Sequence, residues 1–107
     1  MNTPDNWIIL KIKEDTGYFY KILCGWSGGY LDGDSWKMNS GIKDIITTEH
    51  YYDFIGESGS VYRCHKGGER ISGAFAHVLG NLTDKHPDVV THISLDQLMK
   101  EFGNEEV

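Results

Sequence analysis

Short apolar, β-branched and aromatic runs separated by glycine-rich turns fill the first two-thirds of the chain, and a helical period appears only afterwards. Asn6–Lys13 (NWIILKIK) is apolar and rich in β-branched residues, which suit a pleated surface, and reads as a strand. Glu14–Gly17 (EDTG) reads as a turn. Tyr18–Trp26 (YFYKILCGW) then completes a hairpin. Tyr18, Tyr20, Ile22 and Cys24 fall on one face of this strand, and Phe19, Lys21 and Leu23 on the other. Apolar residues on both faces mark a central strand, or one in a closed barrel. Ser35–Asn39, Ile42–Glu49, Tyr51–Gly56 and Val61–Lys66 read as further strands. Ser40–Gly41, Glu57–Ser60 and Gly67–Gly68 punctuate them.

Between Ser72 and His86 the spacing changes. Phe75, Val78, Leu79 and Leu82 recur at i, i+3, i+4 and i+7, which is one face of a helix. Ser72 is placed to cap it and Pro87 to end it. Asp88–Ile93 reads as another strand. In Ser94–Gly103, Ser94 and Gln97 have capping-box spacing, Leu95, Leu98, Met99 and Phe102 form an apolar face, and Gly103 fits the C-terminal cap. The fold class is therefore α+β: a small antiparallel sheet or partly closed β-barrel of five to six strands, followed by helix, strand and short helix. With 107 residues, one domain is expected over 1–107, mainly β from 6 to 66 and helix–strand–helix from 72 to 103.

Composition narrows the function. There is no run of about 18 apolar residues, and the first fifteen residues lack the pattern of a signal peptide, so a cytoplasmic protein without membrane partners is expected. Cys24 and Cys64 are too few for a secreted disulfide scaffold and sit in strand-like contexts, as buried free thiols do. The net charge of −6 disfavours sequence-independent binding to nucleic acid, which depends on neutralising phosphates. The charge is uneven, however. Val61–Ile71 holds Arg63, Lys66, Arg70 and His65 against Glu69, whereas acids dominate from Thr83 onward. A local basic patch on an acidic protein suits a small anionic ligand better than a polynucleotide.

Catalytic and metal signatures are weak. Cys64 and His65 are adjacent on a strand and point to opposite faces, so they do not form a nucleophile–base pair. Thr91–Ser94 (THIS) contains a single His-x-Ser triplet. No C-x₂-C or H-x₃-H spacing is present, and Asp32 and Asp34 fit a turn. Neither enzyme activity, metal nor cofactor is expected. Binding features are richer. Gly25–Gly41 (GWSGGYLDGDSWKMNSG) offers Trp26, Tyr30 and Trp36 as stacking faces, and Ser27 and Asn39 among its hydrogen-bonding groups. Ser58–Lys66 (SGSVYRCHK) adds Ser60, Tyr62, Arg63, His65 and Lys66. Aromatic faces for a base, with cations for a phosphate, are what a nucleotide requires. The predicted ligand-binding set is Trp26, Ser27, Tyr30, Trp36, Asn39, Ser60, Tyr62, Arg63, His65 and Lys66. The competing account is that the rings plug one end of the sheet. A third possibility is a protein partner met through an acidic or aromatic surface. A homodimer is plausible for a chain with so little depth.

Two of these stretches, CGWSGGYLDGDSWKMNSGI from Cys24 to Ile42 and GESGSVYRCHK from Gly56 to Lys66, are similar to those of small bacteriophage-encoded proteins without an established activity. The resemblance implies an accessory protein in the host cytosol that antagonises a host enzyme or defence system, by blocking a protein or by sequestering a signalling nucleotide. It carries over no catalytic residue.

Overall fold

The computed structural model describes the backbone of residues 1–29, 33–71 and 73–105, and the side chains of residues 1–26, 35–71 and 76–102. The predicted hairpin forms: β1 (Asn6–Glu14) pairs antiparallel with β2 (Gly17–Gly29), and Trp7 lies opposite Cys24. On the far side of β2 lies β3 (Gly33–Met38), and on the far side of β1 lies β7 (Val90–Ile93), giving a four-stranded sheet ordered β3-β2-β1-β7. A second antiparallel sheet holds β4 (Ile42–Thr47), β5 (Tyr51–Gly56) and β6 (Val61–His65) in that order. The α+β class is as the sequence indicates. The strands divide between two sheets and do not close into a barrel.

The division follows from the local chemistry after Met38. Asn39 donates its backbone N–H to the Ile22 carbonyl (3.2 Å), and its side-chain Oδ1 accepts the Ile22 N–H (2.9 Å). One buried side chain thus completes the β2 edge where the backbone leaves it. Gly41 then turns the chain with φ +143, a value that β-carbon sterics oppose, and a Cβ there would stand 3.2 Å from Glu57 Cγ. β4 starts on the other sheet.

Alternation gives the first sheet two apolar faces. Trp7, Ile9, Ile22 and Cys24 meet Phe54, Tyr62 and Cys64 of the second sheet in the main core. Ile8, Leu10, Leu23 and Val90 form a second cluster, covered by Leu79, Val78 and Leu82 of α1 (Gly73–Lys85). The predicted apolar face of that helix is therefore the buried one; the side chains of Ser72 and Phe75 lie outside the described residues. α2 (Leu95–Glu105) shares the main core through Leu95, Leu98, Met99 and Phe102. Lys11 and Tyr20 both donate to Glu101 Oε1, which ties α2 to β1 and β2.

The N-terminus of α2 is capped twice. Ser94 Oγ accepts the Gln97 N–H (3.1 Å), and Glu69 Oε2 accepts the Leu95 N–H (2.8 Å). Ser94→Ala is expected to cost about 1 kcal/mol, read from the urea midpoint at unchanged slope. Among the described residues no helix is long and apolar enough to cross a membrane.

Candidate functional site

The glycine-rich segment does not build a single stacking slot. Trp26 lies opposite Ser35 and Trp36 opposite Gly25, so the two indoles project from opposite faces of the first sheet. Trp26 is half-buried against the main core and donates its Nε1–H to the Thr3 carbonyl (3.0 Å). Trp36 is on the α1 side and 50% exposed. The side chains of Ser27 and Tyr30 lie outside the described residues. Asn39 is buried and closes the β2 edge, as described above. Tyr62 is buried in the main core, where burial raises its phenol. Ser60 is exposed and joins Ser58 in a hydroxyl contact (3.3 Å) that, with Ser40, ties the β5–β6 turn to the β3–β4 bend.

Two cations of the second segment, Arg63 and His65, share the outer face of β6 around Tyr51, whereas Lys66 lies by Tyr52, which packs on the core side. Tyr51, Asp53 and Ile55 lie opposite His65, Arg63 and Val61 on the sheet face turned away from the core. Arg63 grips Asp53 with Nε and Nη2, both at 2.9 Å, while its guanidinium stands 5.2 Å from the Tyr51 ring centre. These hydrogen bonds hold the Asp53 carboxyl below its ordinary value and the Arg63 guanidinium above its own. Arg63 is thus engaged, its charge already met by Asp53. The His65 ring lies tilted against Tyr51 with centres 4.7 Å apart, and Lys66 Nζ lies 5.2 Å from the Tyr52 ring. Cys64, between them in sequence, points inward. The hydrogen bond it shares with Cys24, and burial, push its thiol up, so it is a poor nucleophile.

Beyond His65 the chain makes a 3-10 turn, Lys66–Gly68, and this turn defines a cleft of about 370 Å³ with His65, Gly67, Gly68 and Arg70 on one wall and Thr3–Asp5 on the other. The turn is pressed onto Trp7, whose Nε1–H donates to the His65 carbonyl at 2.8 Å; a Cβ on Gly68 would stand 3.0 Å from that nitrogen. Gly67 faces open space. Among the described residues Arg70 has no ion pair, and its carboxylate neighbour in sequence, Glu69, is turned to the N-terminus of α2.

A second cleft, about 390 Å³, lies on the other side of Arg70 and is completed by Ile8, Glu69, Ile71, His92, Ile93 and Ser94. A third, between the start of β2 and the end of α2, has aromatic walls and one charge of each sign, Lys43 and Glu57. Neither Arg70 nor His92 was in the predicted ligand-binding set. The basic run Val61–Ile71 did contain Arg70, but the placement of His92 depends on β7 pairing with β1 across more than eighty residues of chain, and no local pattern carries that. No cluster of three or more metal-ligating side chains occurs among the described residues. No known family model, curated protein or solved structure matches the chain.

Proposed function

We propose that the protein is a non-enzymatic binding protein that captures a small anionic, nucleotide-like ligand in the cleft between Thr3–Asp5 and the turn Lys66–Gly68. One observation carries the reading: His65 and Arg70, neither paired with a carboxylate among the described residues, share a cleft with Gly67, whose backbone a ligand can approach. The cleft is within the volume range of small-molecule sites. Trp26 is tied to its rim through Thr3 and supplies the nearby indole for a base. Lys66 and the Tyr51–His65 ring pair extend the basic and aromatic surface. In the phage setting that the sequence resemblance implies, such capture withdraws a signalling nucleotide from the host.

A panel of mono-, di- and cyclic nucleotides tests this through tryptophan fluorescence and thermal unfolding. A bound compound raises Tm by mass action, and Arg70→Ala is expected to lower its affinity at least tenfold. Silence from the whole panel refutes the reading. It would favour a protein antagonist working through the outer face of the second sheet, where Ile46 is 48% exposed beside Ile55, Tyr51 and Val61.

A further inference from the structure

Two neighbouring clefts have Arg70 as their common wall, and the strand register explains why. Trp7 bridges to Glu69 in a parallel sense, and Arg70 N–H donates to the Trp7 carbonyl at 3.2 Å, which puts Arg70 alongside Ile8. Farther along the same edge of β1, His92 lies opposite Leu10. Ile8 and Leu10 are two positions apart on one strand, so Arg70 and His92 project from the same face, with attachment points about 7 Å apart along the strand. That spacing suits one oxyanion held between a guanidinium and an imidazole. The floor of this second cleft is Ile8, which is apolar and 1% exposed, so the polar contacts available there are those of the rim.

His65 stands in the first cleft and His92 in the second, with Arg70 between. A guanidinium has five N–H donors in a planar fork and serves acceptors on two sides at once. Both histidines are exposed, and neither has an ion pair among the described residues. Glu69 lies opposite Trp7, on the face away from Ile8, and its carboxylate meets α2. Asp5, on the far wall of the first cleft, makes an interaction of its own, and Glu69, which also lines the second cleft, has its Oε2 held by the Leu95 N–H.

Resting on the reading of an anion-capturing cleft, we propose that the ligand carries two phosphate-type groups straddling Arg70, one against His65 and the turn Lys66–Gly68, the other between Arg70 and His92. The protein then selects a bisphosphorylated or polyphosphorylated nucleotide over its monophosphate. The second group, seated on the apolar floor of Ile8, supplies the discrimination.

Calorimetric titration of the intact protein with AMP, ADP, ATP and adenosine 3′,5′-bisphosphate decides the point. At least one two-phosphate compound is expected to bind tenfold or more tightly than AMP. His92→Ala should bring that compound down to the affinity of AMP, with the unliganded Tm unchanged because the side chain is exposed. Thr91→Ala, on the opposite face of β7, should keep the preference. Equal affinity for AMP and every two-phosphate compound, or a preference that survives His92→Ala, overturns this inference and leaves the capture of an anion standing. Failure of all four compounds to bind overturns this inference, and silence from the wider nucleotide panel as well overturns both.

Discussion

Trp7→Ala is expected to lower the stability of the protein by about 3–5 kcal/mol, the largest loss of any single truncation in the main core. The indole is wholly buried and touches both sheets. It meets Tyr52 edge-on at 6.0 Å and Phe54 at 5.4 Å, and its Nε1–H satisfies the His65 carbonyl. Alanine removes the packing, leaves a cavity, and strips a donor from a part-buried carbonyl. Domains of this size are stable by only about 5–15 kcal/mol, so the variant approaches the limit of folding. Urea unfolding followed by far-UV circular dichroism measures it. Trp7→Phe separates the contributions: the ring is largely restored, but the His65 carbonyl loses its partner, at about 1–3 kcal/mol. A loss below about 1 kcal/mol for the alanine variant would show that Trp7 does not join the sheets. The same residue supports the candidate cleft, since the Lys66–Gly68 turn rests on it. Trp7→Phe should therefore weaken ligand capture more than its stability cost alone explains.

Much of the fold was legible because the chain is locally consistent. The apolar, β-branched run Asn6–Lys13, the strand Tyr18–Trp26, the turn at Glu14–Gly17 and the capping pair Ser94 and Gln97 each act within a few residues, and each appears as read. The separation into two sheets was not legible. It turns on Asn39 using its amide side chain to close the β2 edge, and an asparagine near a glycine reads equally well as an ordinary bend. The binding residues were legible as a composition but not as a geometry. Trp26 and Trp36 look like partners in sequence, yet the register sends them to opposite faces. Arg63 looks like a ligand-binding cation, yet Asp53 sits directly across the strand pair, takes its Nε and Nη2 donors and meets its charge. Cross-strand neighbours decide which charges remain available, and they are set by pairings that the linear spacing does not carry.

The same two buried or half-buried carboxylates that stabilise the sheets should make the protein acid-sensitive. At Asp53 the hydrogen bonds from Arg63 lower the carboxyl, partly opposed by burial. At Glu101 burial works to raise the carboxyl, but the hydrogen bonds from Lys11 and Tyr20 and the charge of Lys11 outweigh it, and the group ends below its ordinary value. In the unfolded chain these groups titrate near 4, at roughly 3.9 for Asp and 4.3 for Glu. Around those values the unfolded state binds more protons than the native state, so stability rises with pH. The contribution is complete above the unfolded values and is lost as pH falls through the lower native ones. Urea midpoints should therefore hold level from neutral pH down to about 5 and fall steeply below about 4. Glu101→Gln should cost about 1–2 kcal/mol at neutral pH, because the amide keeps an acceptor but not the charge that Lys11 meets. Combined with Asp53→Asn it should flatten the acid limb, so that wild type and double variant converge near pH 3. Parallel curves for the two proteins would place the acid sensitivity elsewhere and remove Glu101 as the electrostatic tie between α2 and the sheet.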